Sequence, residues 1–258
     1  NLNHTFGEKH NVTFLAGFEA EKNKTDFMRS SGTNLPVSSL QVVQTAGKTE
    51  ANAYYWGNSI VSILSRAEYN YDNKYYFSAS YRRDGSSKLG PDSRWGNFWS
   101  VAGSWRINDE EFMKDIDWIS NLRLRASYGV NGTLPSSNNG WRSLASYSYQ
   151  YGGEPGGALA NANLSWETSY TSNFALEFGF LDDRIKGSIE YFNRDSKDLL
   201  QDVPISYITG FSSTLKNVGE INNKGIEFEL AGDIITNKDF RWSASINGSH
   251  VKSEVTKL

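Results

Sequence analysis

β-Strand patterns along this chain are joined alternately by very short and by long connections. Short links fall at residues 7–10, 71–74, 181–184 and 236–239, with one of intermediate length at 108–121; long polar stretches fill 22–57, 83–95, 131–165 and 195–220. A water-soluble sandwich has no need to sort its loops to two ends by length. A barrel that crosses an outer membrane does, because its strands span the bilayer in turn and meet tight turns on the periplasmic side and long loops outside.

Side chains alternate across a pleated strand, so a barrel wall puts apolar residues toward lipid at every second position and polar ones toward the lumen. Residues 74–83 follow this, with Tyr75, Phe77, Ala79 and Tyr81 opposing Ser78, Ser80 and Arg82. In 122–128, Leu122, Leu124, Ala126 and Tyr128 oppose Arg123, Arg125 and Ser127. The same holds for 173–180, 185–194, 225–231 and 240–247, and more loosely for Val12, Phe14, Ala16 and Phe18, for Ile63, Ala67, Tyr69 and Tyr71, and for Trp99, Val101, Gly103 and Trp105. About ten strands result, each near the length a tilted strand needs to cross a bilayer. A soluble antiparallel sheet with one wetted face gives the same alternation; the loop asymmetry and the Trp and Tyr near strand ends favour the membrane. The expected outward set is Phe77, Leu124, Phe178, Ile189, Phe228 and Trp242; the inward set is Arg82, Arg125, Glu190, Glu227 and Arg241.

The chain has 258 residues, 14 Tyr and 8 Trp, which suits aromatic girdles at the edges of an apolar band. No apolar run approaches the length of a membrane helix, and barrel strands hide their apolar content in alternation. The absence of Cys fits passage through an oxidising periplasm. A net charge of −3 is too small to imply a nucleic-acid partner. Asn1 already lies in a strand pattern and Lys257-Leu258 stop where another long loop should begin, so the chain is expected to be part of a larger barrel whose terminal strands lie elsewhere.

The intermediate link reads as a short amphipathic helix at the periplasmic rim: Phe112, Ile116 and Ile119 fall at i, i+4 and i+7, and Asn108 with Glu111 matches a capping box. Chemistry is sparse. His4, His10 and His250 have no metal-ligand spacing and no G-x-S-x-G accompanies them, so neither a metal nor a catalytic site is expected and no cofactor is implied. The loop aspartates Asp84, Asp92, Asp195, Asp198 and Asp202 suit calcium but read more simply as turn residues.

Three stretches carry a family resemblance. Arg83-Asp84-Gly85-Ser86-Ser87-Lys88-Leu89-Gly90, followed by Arg94-Trp95-Gly96 and Val101-Ala102-Gly103-Ser104-Trp105-Arg106-Ile107, closely resembles a signature of the SusC/RagA family of TonB-dependent outer-membrane transporters of Bacteroidetes. Glu111-Phe112-Met113-Lys114 and Asn121-Leu122-Arg123-Leu124-Arg125-Ala126-Ser127-Tyr128-Gly129-Val130-Asn131-Gly132 are similar to it as well. The third runs from Ala160-Asn161-Ala162-Asn163-Leu164-Ser165-Trp166-Glu167 through Tyr191-Phe192-Asn193-Arg194 and Thr209-Gly210-Phe211 to Asn217-Val218-Gly219-Glu220-Ile221-Asn222-Asn223-Lys224-Gly225-Ile226-Glu227. The first 65 residues match only as generic barrel.

The resemblance implies an all-β fold: an antiparallel transmembrane barrel segment, residues 1–258, of about ten strands from the 22-stranded plugged type. It has long extracellular loops and one short periplasmic helix, and the plug and terminal strands lie outside this sequence. It implies import of oligosaccharides or peptides across the bacterial outer membrane, with a SusD-like surface lipoprotein over the mouth and the TonB complex acting through the plug. Loop aromatics and arginines become the candidate cargo or lid contacts: Arg94, Trp95, Trp141, Arg142, Tyr147, Tyr149 and Tyr151. A non-transporting adhesin or carbohydrate-binding module is the alternative.

Overall fold

The computed structural model describes residues 1–148, 152–155 and 158–258, with side chains described outside 145–158. Fifteen strands follow in chain order: β1 (Leu2–Phe6), β2 (His10–Thr33), β3 (Lys48–Tyr71), β4 (Tyr75–Ser86), β5 (Trp95–Arg106), β6 (Ile119–Thr133), β7 (Ala145–Ser148), β8 (Gly152–Pro155), β9 (Ala158–Leu159), β10 (Glu167–Phe180), β11 (Ile185–Lys197), β12 (Leu200–Pro204), β13 (Ser213–Asn217), β14 (Glu220–Thr236) and β15 (Arg241–Lys257). Ten of them form one antiparallel sheet in the order β1-β2-β3-β4-β5-β6-β10-β11-β14-β15. Each strand lies beside its neighbour in the chain once the small loop strands are set aside, the up-and-down topology of a barrel wall. The sheet does not close on itself within the described residues.

Register puts the charges where alternation expects them. Directly opposed residues share a face, and one row runs Ser104, Arg125, Ala175, Glu190, Glu227 and Ser249 across β5, β6, β10, β11, β14 and β15. One residue along, the row is Trp105, Leu124, Leu176, Ile189, Phe228 and Gly248. The first row belongs to a polar inner face and the second to an apolar outer one, which carries the exposed Phe77, Phe174, Ile226, Trp242 and Ile246. Arg82 likewise points inward, donating to Asp84, Glu19 and Ser62.

The short turns at 7–10, 71–74 and 181–184 are built from left-handed backbone. Asp72 and Asn73 have φ of 52° and 55°, the two successive positive values that match the twist of a two-residue hairpin. Adjacent turns are stitched by Asp72 N–H donating to Lys9 O and by Lys9 Nζ on Asp72 Oδ2 at 3.1 Å.

Two expectations need correction. Residues 107–118 form no α-helix; they make two separate 3-10 turns, Ile107–Asp109 and Glu111–Met113. The Asn108 side chain accepts from Leu122 N–H instead of capping a helix, and Phe112 stays exposed. The stretch 22–57 is also mostly strand. β2 and β3 pair over 24 residues each, leaving only 34–47 as the connection. At roughly 3.3 Å per residue these strands run about 80 Å, well past the nine to eleven or so residues that span a bilayer.

The wall assignment makes a quantitative prediction. Phe174→Arg places a charge on the outer face and should reduce the unfolding free energy of the full-length protein in liposomes by about 2–4 kcal/mol, whereas Ser127→Arg on the inner face should change it by less than about 1 kcal/mol. Urea titrations of folded fraction compare the two.

Candidate functional site

Two features of the inner side stand out: a polar hollow in the wall and a loop cap at the long-loop rim. The hollow, about 580 Å³, is lined by Arg66, Glu68, Tyr76, Arg123, Arg125, Asn173 and Glu190, among others. Its charges are mutually organised. Arg125 Nε meets Glu177 Oε1 at 2.6 Å, and its Nη2 lies 3.6 Å from Glu190. Arg123 donates to Ser104 Oγ at 2.6 Å and its guanidinium sits 5.5 Å above the Tyr76 ring. Glu190 stands directly opposite Glu227, a like-charge pairing that is unfavourable and that Arg125 offsets on one side. A polar wall of this kind suits the passage or holding of polar matter. Among the described residues no group of three or more His, Asp or Glu is placed to hold a metal ion.

The cap holds the buried apolar cluster, Leu89, Phe98, Val130, Leu164 and Trp166, with Leu134, Trp141, Leu200 and Leu215 packed against it. These residues come from three long loops and the strand ends beneath them. Hydrogen bonds tie the loops together: Trp166 Nε1 donates to Arg94 O at 3.1 Å, Lys88 Nζ to Pro135 O at 3.1 Å, and Asn161 Nδ2 to Leu215 O at 2.9 Å. Asn217 clasps residue 165 from both sides, accepting from Ser165 N–H at 2.8 Å and donating to Ser165 O at 2.9 Å. β9 of one loop adds in parallel to β13 of the next. The Phe98 ring lies against Gly96 and Gly132 and leaves no room for a Cβ at either position.

The candidate residues separate. Trp141 is half-buried in the cap, donating from Nε1 to Ser87 O at 3.3 Å, and exposed Arg142 stacks on it at 4.2 Å. Arg94 gives its carbonyl to Ser86 N–H as well as to Trp166, and its buried Nε has no hydrogen-bond partner. Trp95 lies opposite Gly85 on the outer side of the wall, with the Arg83 guanidinium 5.2 Å above its ring. The Tyr147 side chain, Tyr149 and Tyr151 lie outside the described residues. Of the cap residues, the sequence offered Leu89 and Leu164 only as parts of the signature stretches and did not single out Phe98; the signal at Leu89 and Leu164 was a large apolar residue inside a polar stretch.

At the opposite rim Glu110 collects three donors: Tyr75 Oη at 2.5 Å, Trp105 Nε1 at 3.0 Å and Lys74 Nζ at 3.4 Å. The Tyr75 and Trp105 hydrogen bonds, then Lys74, hold the carboxyl below its usual range.

An up-and-down antiparallel wall with an apolar outer face, a charged inner face, tight turns at one rim and interlocked loops at the other is the wall of an outer-membrane β-barrel. Comparison narrows the class. The family described as "TonB dependent receptor-like, beta-barrel" matches residues 1–256. TonB-dependent receptor P39 of Formosa agariphila is 33% identical over 266 residues, covering 100% of this chain and 25% of that protein. TonB-dependent receptor SusC of Bacteroides thetaiotaomicron is 34% identical over 255 residues, covering 95% and 25%. The solved structure of the RagAB peptide transporter superposes with a TM-score of 0.89 at 30% identity, covering 99% of this chain and 29% of that one. The siderophore receptor PirA of Pseudomonas aeruginosa, at 15% identity and a TM-score of 0.57, shares the fold. The chain belongs to the TonB-dependent receptor β-barrel family, of the SusC and RagA type, and is an outer-membrane protein. It spans about a quarter of the length of its curated relatives.

Two outcomes are expected. Because the Glu110 carboxyl is depressed, its contribution is present above the ordinary glutamate range and lost as pH falls through the lowered value. The protection factors of residues 107–118, taken against the intrinsic exchange rate at each pH, should therefore fall on acidification in the wild type and show no such step in Glu110→Gln. Trp166→Ala should remove about 3–5 kcal/mol of cap stability, so that external protease cuts residues 134–166 while the wall stays folded and heat-modifiable on gels.

Proposed function

We propose that this chain forms wall and mouth of a TonB-dependent importer that takes up oligosaccharides or peptides. The observation that carries the reading is the interlocked loop cap above a charged inner wall, in a chain of this family. A cap tied by Trp166, Asn217 and the β9–β13 pairing gives the mouth a fixed rim, on which cargo and a closing partner can both register. A SusD-like surface lipoprotein is the partner proposed for that rim, and the TonB complex is proposed to act through a plug carried by the rest of the protein. The protein works by transport and catalyses no covalent step. Arg94, Trp141 and Arg142 on the cap, together with Tyr147, Tyr149 and Tyr151, are the proposed cargo or lid contacts. Trp95, on the outer side, serves as a girdle residue. No observation favours the adhesin reading.

Replacing residues 145–157 by a short Gly-Ser link leaves Trp141 and Leu164 in the cap. In the full-length protein it should preserve barrel assembly and lower cargo accumulation by about tenfold or abolish co-purification of the lipoprotein. Unchanged accumulation and unchanged co-purification would remove this loop from the mechanism.

A further inference from the structure

Arg82 and Arg83 are successive residues on opposite faces of β4. Arg82 turns inward and donates to Asp84, Glu19 and Ser62. Arg83 shares the outer face with Phe77 and Tyr81 and is exposed. Its guanidinium lies 5.2 Å from the centre of the Trp95 ring and has no carboxylate partner among the described residues. A charge that faces lipid is tolerated only near the edge of the apolar band. Arg83 stands at that edge. It lies eight residues along β4 from Tyr75 at the short-turn rim, a climb of roughly 20 Å at about 3.3 Å per residue and a tilt of about 40°. Trp95, opposite Gly85, reaches roughly 25 Å, the height of the band itself.

Around Arg83 the outer face offers donors and no acid. Asn97 stands directly opposite it on β5. Tyr81 Oη donates to Asn97 Oδ1 at 2.8 Å, which leaves the Asn97 Nδ2 without a partner among the described residues, as is the Trp95 indole N–H. The outward strand positions of β2 to β6, from the short turns up to Lys22, carry no acidic side chain; Glu19, Glu68 and Asp84 all belong to the inner face. Lys22 is the second cation of this sector. It faces out opposite Ser59, where β4 has ended and β2 and β3 continue beyond the wall as a two-stranded ribbon, and it too is exposed and without an ion pair among the described residues. By strand spacing its Cα is about 16 Å from that of Arg83, and the two long side chains can close most of that gap.

We propose that Arg83, Asn97 and Trp95 bind the phosphate of a phosphorylated glycolipid in the outer leaflet, with Lys22 as a second cation above it. The long loops make this rim the outer one, so the lipid that meets it is outer-leaflet lipid. Its acyl chains continue the lipid belt over Phe18, Ile63 and Trp99, which are exposed on the same face. The guanidinium fork, set on the indole face, presents paired N–H donors to phosphate oxygens in a bidentate way that an ammonium cannot match. Solvation of a snorkelling arginine would explain Arg83 alone. It does not explain a donor-only cluster in a sector whose acids all face inward. The proposal is independent of the importer reading.

The test titrates the full-length protein, in non-ionic detergent, with lipid A, with lipid A stripped of its phosphates, with phosphatidylethanolamine and with inorganic phosphate, and reads dissociation constants by native mass spectrometry. Lipid A should bind about tenfold more tightly than its dephosphorylated form, and Arg83→Ala should remove most of that preference. Arg83→Gln, which keeps the stem of the side chain, carries the same expectation. Arg83→Lys should weaken lipid A by about threefold, since charge remains and the fork is lost; Asn97→Ala and Lys22→Ala should each weaken it by about twofold to threefold. Arg29→Ala, on the other face of the ribbon from Lys22, should leave affinity unchanged, and all variants should remain heat-modifiable. The proposal is overturned if lipid A binds no better than its dephosphorylated form or than phosphatidylethanolamine, or if the preference survives in folded Arg83→Ala or Arg83→Gln. It is equally overturned if inorganic phosphate at the lipid's concentration displaces the lipid, which would leave an anion site with no lipid.

Discussion

Hydrocarbon offers the backbone no hydrogen-bond partner, so every N–H and C=O at membrane depth has to be satisfied by a neighbouring strand. That constraint makes the long unbroken ladders between β3, β4, β5, β6, β10, β11 and β14 obligatory, and the ladders fix which side chains share a face. Once register is set, a single-residue slip would turn Arg125, Glu177, Glu190 and Glu227 into lipid. The ion pairs of Arg125 with Glu177 and Glu190 are therefore consequences of register as much as contributors to it. Buried apolar core is correspondingly scarce in the wall and gathers in the loop cap instead.

The cap explains why three separated stretches carry a recognisable signature. Arg83–Gly90 and Arg94 contribute Leu89, Lys88 and a carbonyl; residues 160–167 contribute Leu164 and Trp166; and the run beginning at Asn217 supplies the side chain that clasps Ser165. They are far apart in sequence and meet at one rim. Replacing Trp166 by Ala would remove the indole N–H that Arg94 O accepts, leaving that carbonyl with Ser86 N–H alone.

Legibility in the sequence followed the physics of each region. Wall strands were readable because lipid on one side and water on the other force a two-residue period, as in Leu122, Leu124 and Ala126 against Arg123 and Arg125. The ribbon was not, because above the membrane both faces of β2 and β3 meet water, and residues such as Lys22, Asn23, Lys24 and Thr25 continue the backbone ladder with no apolar period to mark it. The 107–118 link matched a helical period, yet Glu110 is held by Tyr75, Trp105 and Lys74, and that anchorage breaks the segment into two 3-10 turns. Of the candidate site residues, aromatic character alone did not separate Trp95 on the outer side of the wall from Trp141 in the cap. Only register and loop packing do that.

The central claim is that alternation along each wall strand divides lipid from lumen. This chain has no Cys, so single cysteines at 174, 175, 176, 177 and 178 can each carry an environment-sensitive fluorophore in the refolded full-length protein, with any cysteine elsewhere in it first replaced. In liposomes of brominated-chain lipid, strong quenching is predicted for Phe174→Cys, Leu176→Cys and Phe178→Cys and little for Ala175→Cys and Glu177→Cys. Uniform quenching along the strand, or the reverse alternation, would contradict the account.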